Sequence, residues 1–154
     1  SKSGIIVKGL YDVAVHFSKC CSPVPGDEIV GFVTRGRGVS IHRTDCINII
    51  NLSDMERERL IDAEWQHDEE SGSSGLYLAE IKVFCNNRTG LLVDITRAFT
   101  EREIDINAIH SKTSKQGIAT IDISFNTKGK AELTSVIDKL RQIDSIIDIE
   151  RTTG

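Results

Sequence analysis

The stretch Leu76-Tyr77-Leu78-Ala79-Glu80-Ile81-Lys82-Val83-Phe84-Cys85-Asn86-Asn87-Arg88-Thr89-Gly90-Leu91-Leu92-Val93-Asp94-Ile95-Thr96-Arg97-Ala98-Phe99 changes its apolar period once. Up to Cys85 the pattern alternates, with Ile81, Val83 and Cys85 on one face, as in a half-buried strand. Cys85 therefore reads as a core thiol. From Gly90 to Arg102, Leu91, Leu92, Ile95, Ala98 and Phe99 recur at helical spacing instead. Downstream, Ile104 to Lys112 alternates again, Gln116-Gly117 marks a turn, and Ala119, Ile121, Ile123 and Phe125 form the apolar face of a third strand; the two strands read as a hairpin. Leu133, Val136, Ile137, Leu140 and Ile143 mark a second helix, and Ile147 and Ile149 a last strand facing the core. The order is βαββαβ, a ferredoxin-like α+β arrangement. Because one face of each strand is strongly apolar, both helices are expected on one side of an antiparallel sheet. The other side stays open and is expected to carry Phe84, Ile109 and Ile118 among polar residues, a surface for a partner or a dimer mate.

Working back from Leu76, the segment Glu69-Glu70-Ser71-Gly72-Ser73-Ser74-Gly75 is small, polar and without apolar anchors, which predicts a flexible linker. Three spans follow: a first unit over residues 1–70, a linker over 71–75, and the ferredoxin-like unit over 76–154.

In the first unit the informative residues are Cys20 and Cys21, then, after twenty intervening residues, His42-x-x-x-Cys46. Between them lies Gly31-Phe32-Val33-Thr34-Arg35-Gly36-Arg37-Gly38, flanked on both sides by strand-like apolar residues. A hairpin turning at Arg-Gly-Arg-Gly brings His42 and Cys46 back beside the cysteine pair. Thiolates and imidazole are preferred zinc ligands, and four of them close a tetrahedral structural site with no position for a catalytic water. Cys20, Cys21, His42 and Cys46 fill such a site. Vicinal cysteines seldom share one ion, however, and His16-x-x-x-Cys20 mirrors His42-x-x-x-Cys46, so His16 is an alternative ligand; a metal-free core of small thiols is the other possibility. A zinc hydrolase would need an open metal position and a general base, and Asp45 is the one close carboxylate. His67 and His110 have no partner at a telling spacing, and Trp65 ends an alternating stretch that points to the core.

The chain has 154 residues and a net charge of -4, which argues against a generic polyanion binder. Charge is nonetheless segregated. Lys19, Arg35, Arg37 and Arg43 gather around the expected hairpin, while Asp54, Glu56, Glu58, Asp62, Glu64, Asp68, Glu69 and Glu70 trail behind it. No run approaches the roughly 18 apolar residues of a membrane span, and no secretory signal opens the sequence, so a cytoplasmic location with reduced thiols is expected.

The run Val15-His16-Phe17-Ser18-Lys19-Cys20-Cys21-Ser22-Pro23-Val24-Pro25-Gly26-Asp27-Glu28-Ile29-Val30-Gly31, continued through Arg35-Gly36-Arg37-Gly38 to His42 and Cys46, resembles the zinc-finger or ribosome-inter-subunit domain of long RelA/SpoT proteins. The second half resembles their ACT domain, whose first loop usually runs Asp-Arg-Pro-Gly-Leu-Leu and here runs Asn87-Arg88-Thr89-Gly90-Leu91-Leu92. The resemblance implies a non-catalytic regulatory piece of a ppGpp synthetase or hydrolase, working with the N-terminal catalytic domains of its parent. It also implies partners: ribosomal RNA and deacylated tRNA in the ribosomal A site, met by Lys19, Arg35, Arg37 and Arg43. Guanidinium groups fork onto phosphate or stack on unpaired bases, and glycines let a backbone approach RNA closely. ACT domains commonly pair as homodimers and bind a small amino acid, so a branched-chain ligand such as valine or isoleucine is implied at Asn87, Gly90, Leu91, Leu92 and Asn107.

Overall fold

The computed structural model describes residues 4–10, 13–66 and 75–152. His67 and the expected linker, apart from Gly75, lie outside the described residues. The chain divides into two compact units, the second spanning Leu76–Thr152.

The first unit is built around the expected hairpin. β3 (Ile29–Val33) pairs antiparallel with β4 (Val39–Arg43), register running from Ile29 opposite Arg43 to Val33 opposite Val39. β2 (Val15–Phe17) adds parallel to β4, and β5 (Leu60–Ile61) adds antiparallel to β3, giving the order β2-β4-β3-β5. A separate ribbon joins β1 (Ile5–Val7) to β6 (Ala63–Trp65). Alternation along β4 gives the sheet two uses. Val39 and Ile41 pack with Ile5 and Val7 in one apolar cluster, joined by Val15, Phe17 and Trp65. Trp65, expected in the core, is half-buried against this cluster, stacked 5.7 Å from Phe17 with its indole N–H donated to the Asp27 carbonyl. Cys21, Cys46 and Ile49 form a second cluster with Cys20, Val30, Leu52 and Leu60. Two single-turn helices, α1 (Ile47–Ile50) and α2 (Asp54–Arg57), follow β4, the second opened by a Ser53/Glu56 capping box.

Glycines fix the hairpin for two different reasons. Gly36 and Gly38 both have left-handed φ, +78° and +77°, but a Cβ on Gly36 meets open space. One on Gly38 would be driven into the carbonyl oxygen of Ala14, the group that accepts the Val39 N–H at 2.8 Å where β2 docks on β4. Packing of this unit therefore accounts for Gly38 without any appeal to RNA.

The second unit runs β7 (Tyr77–Asn86), α3 (Leu91–Thr100), β8 (Ile106–Thr113), β9 (Ile118–Thr127), α4 (Lys130–Arg141) and β10 (Ile146–Arg151). All pairs are antiparallel in the order β10-β7-β9-β8, the expected βαββαβ sheet. Ala79, Ile81, Val83 and Cys85 stand opposite Phe125, Ile123, Ile121 and Ala119, and all eight are buried. Phe99 of α3 meets Phe125 edge-to-face at 5.0 Å. Cys85 is the core thiol expected, fully buried.

Two bulges correct the expected faces. Between Ile106 and Ala108 the register of β8 shifts, so Ile109 stands opposite core-facing Ile123; it lies on the helix side of the edge strand, 41% exposed, and not on the open face. Between Ile146 and Asp148 a similar shift ejects Ile147, which is 55% exposed, while Ile149 remains buried opposite Val83. One extra residue in one strand inverts the alternation on either side of it. Phe84 and Ile118 keep their places on the open face, opposite Thr120 and Asn86.

Candidate metal centre

Cys20 and Cys21 follow β2 directly, His42 lies near the end of β4, and Cys46 precedes α1, its carbonyl accepting the Ile49 and Ile50 N–H groups. The hairpin therefore closes the sequence gap, and the four ligand atoms lie within 4.8 Å of one another. His42 Nδ1 is 3.4 Å from Cys20 Sγ and 3.9 Å from Cys21 Sγ, and Cys20 Sγ is 3.4 Å from Cys46 Sγ. Zinc bond lengths of about 2.3 Å to sulfur and about 2.0–2.1 Å to nitrogen, set at tetrahedral angles, put two sulfurs roughly 3.8 Å apart and a sulfur and nitrogen roughly 3.6 Å apart. The donor set fits the ion in type, number and spacing. His16 is exposed on β2 and stands outside this group of four.

Burial and the proximity of the sulfurs set the protonation of this cluster. Burial pushes the Cys21 thiol up to about 12, against the Arg43 N–H that its sulfur accepts at 3.3 Å, and the Cys46 and Cys20 sulfurs add to the rise. Burial likewise raises Cys46, with Cys20 adding to it against the Asn48 N–H. For Cys20 burial acts upward too, but hydrogen bonds from Ser18 at 2.8 Å, Asn48 and the other thiols outweigh it and lower the group. Burial, helped by the charge of His16, holds His42 below its ordinary value, so its imidazole is neutral, the form that ligates. Without a cation, Cys21 and Cys46 keep their protons at neutral pH; an ion bound by their sulfurs must displace them. Zinc uptake near pH 7 is therefore expected to release at least about two protons per ion and to weaken as pH falls. Calorimetry in buffers of different ionisation enthalpy measures this, and zinc binding without proton release would contradict thiolate ligation.

The charged residues sort into three kinds. Lys19, Arg35 and Arg37 are exposed, the two arginines at the tip between β3 and β4. Arg43 corrects the expected RNA-contact set: it is 4% exposed, its guanidinium is bidentate to Asp45 at 2.8 and 2.9 Å, and it donates to the Cys21 carbonyl at 3.1 Å. Alternation along β4 turns it away from the His42 face, and its charge is spent holding the cysteine loop. Arg59 was not anticipated. The β3–β5 pairing brings its guanidinium 4.6 Å over the Phe32 ring, and it donates to the Val33 carbonyl beside the tip. Pairing between strands distant in sequence is what places it there, and a local pattern carries no sign of that.

The positions implied for an amino-acid ligand do not converge in the same way. Leu91 is 3% exposed, on the core side of α3 with Ile95, Ala98 and Phe99, and so is a packing residue, whereas Leu92 faces outward. Asn107, the bulge residue of β8, exchanges side-chain amide hydrogen bonds with Asn126 at 3.1 and 3.3 Å. Gly90, φ +81°, is the N-cap of α3, and the Asn87 N–H is donated to the Gly117 carbonyl. Arg88 folds onto the same helix through Asp94 at 2.7 Å.

A ferredoxin-like ACT sheet, preceded by a small unit that gathers three cysteines and a histidine, defines a two-part regulatory chain. The RelA/SpoT RIS domain matches residues 5–66 and an ACT domain matches residues 73–151. GTP pyrophosphokinases of Streptomyces coelicolor and Escherichia coli are each 39% identical over 151 residues, covering 98% and 97% of this chain but 17% and 20% of their own lengths. A crystal structure of the ACT domain from the GTP pyrophosphokinase of Chlorobium tepidum is 27% identical, covers 50% of this chain and 99% of its own, and superposes with a TM-score of 0.45. The chain belongs to the RelA/SpoT family and corresponds to its C-terminal regulatory region. It spans about a fifth or less of the length of these curated relatives.

Proposed function

We propose that this chain is the ribosome-sensing region of a (p)ppGpp enzyme of the stringent response. It recognises ribosomal RNA and deacylated A-site tRNA in the cytoplasm, reports amino-acid starvation to the catalytic domains of its parent, and catalyses nothing itself. Its first unit holds a structural zinc ion through Cys20, Cys21, His42 and Cys46. The observation that carries this reading is the exposure of Arg35 and Arg37 on a short turn whose hairpin is rooted in that cluster, inside the span matched by the RIS domain.

A bound ion at the root holds β4 and the cysteine loop together, so the tip is presented with less conformational entropy to lose on contact. Arg59, fastened to Phe32 and Val33, adds positive charge beside it. Exposed Asp54, Glu56 and Glu58 on and beside α2 repel indiscriminate polyanion binding and leave the tip as the contact point. Reversing both charges, Arg35→Glu with Arg37→Glu, is expected to weaken co-sedimentation with ribosomes and to flatten its dependence on salt between about 50 and 200 mM by about two units of slope, one for each phosphate that an arginine no longer neutralises. A slope equal to that of the unmodified chain would remove the hairpin from the interface.

A further inference from the structure

Ser40 occupies the middle of β4, two residues before His42 and on the same strand face. It is 6% exposed, and its Oγ lies 3.1 Å from His42 Nε2. The opposite ring nitrogen, Nδ1, is the one that faces the sulfurs of Cys20 and Cys21. A neutral imidazole carries a single N–H, and a nitrogen can ligate a metal only if the proton sits on the other one. For Nδ1 to ligate, the proton must be on Nε2, and the Ser40 hydroxyl is the acceptor placed to receive it. The hydroxyl in turn reaches the Phe32 carbonyl across the β3–β4 ladder at 3.5 Å, which directs its own hydrogen away from the ring and leaves a lone pair for Nε2–H.

We propose that Ser40 is the positioning residue of the metal site: it fixes the Nε2–H tautomer and the ring orientation of His42, so that Nδ1 is the metal-binding nitrogen. The inference rests on the zinc reading above and adds a residue outside the four ligands. Partners of this kind typically alter metal affinity about 10- to 100-fold through the ligand they orient. Ser40→Thr keeps the hydroxyl in a residue well suited to a strand, whereas Ser40→Ala removes it.

The test pairs zinc affinity, from competition with a chromogenic chelator, with long-range proton–nitrogen NMR of the His42 ring in the zinc-loaded full chain. Expected are an Nε2–H signal with nitrogen shifts placing zinc on Nδ1, affinity about 10- to 100-fold weaker in Ser40→Ala, and affinity within about threefold of the unmodified chain in Ser40→Thr. An Nδ1–H tautomer in the unmodified protein overturns the proposal even if the alanine variant does not fold, and so does unchanged affinity in a folded Ser40→Ala. Failure of the unmodified chain to take up any zinc defeats the zinc reading itself, and this inference with it.

Discussion

Cys46→Ser is expected to cost the first unit its cooperative fold while sparing the second. Cys46 is fully buried, its sulfur is 3.4 Å from that of Cys20, and its carbonyl starts α1. Fully buried residues are few in the two apolar clusters of this unit: Ile5, Val7, Val39 and Ile41 in one, Cys21, Cys46 and Ile49 in the other, each ringed by half-buried neighbours. Below about 70–80 residues a single core rarely supplies more than about 3–5 kcal/mol of net stability, whereas a structural zinc ion contributes roughly 10–16 kcal/mol of apparent binding free energy at neutral pH. Losing the ion would therefore remove more than the apolar clusters supply, and Cys46→Ser weakens its hold by taking one of its four ligands. Trp65, the single tryptophan, belongs to the first unit and stacks on Phe17, so its fluorescence follows that unit, while far-UV circular dichroism is dominated by α3 and α4 of the second. In Cys46→Ser, or after zinc is stripped by a chelator, the fluorescence transition should disappear while the helical signal still melts cooperatively. An unchanged Trp65 transition in urea would mean that packed thiols alone hold the unit.

Gly38→Ala should be the most damaging substitution at the hairpin tip, and Gly36→Ala is its control. Both place an alanine at a φ near +78°, which costs about 1–2 kcal/mol. At Gly36 nothing else is added, because a Cβ there meets open space. At Gly38 the methyl collides with the Ala14 carbonyl and comes within 3.0 Å of the Ala14 Cβ, so β2 must move away from β4 or the turn must reopen. The total should reach about 2–5 kcal/mol, read as the shift of the Trp65 transition midpoint in urea. Equal costs at the two positions would show that backbone conformation alone selects glycine at the tip.

These two glycines show where sequence reasoning stops. The turn was legible as Arg-Gly-Arg-Gly, but the Ala14 carbonyl arrives through a parallel β2–β4 contact that no local pattern announces. The ligand cluster was legible because cysteine and histidine are few and a hairpin returns the chain by a predictable length; whether His16 or one of the vicinal cysteines completed it depended on strand placement. In the second unit, element order followed from apolar period, since 3.6 and 2 are hard to confuse over ten residues. Ile109 and Ile147 were misplaced because a bulge adds one residue without disturbing the apparent alternation. Arg43 looked like an open cation beside a basic turn. Asp45, two residues on, was the available sign that its charge was already taken. Ser40 shares a strand face with His42, but its residue type is too common to mark it.

Co-sedimentation of the purified chain with ribosomes, with and without deacylated tRNA in the A site and at physiological salt, bears most directly on the proposed role. Binding that strengthens when the tRNA is present, and that is lost when zinc is removed, is the predicted result. Binding indifferent to the tRNA, or no binding at all, would contradict a ribosome-sensing role for this region.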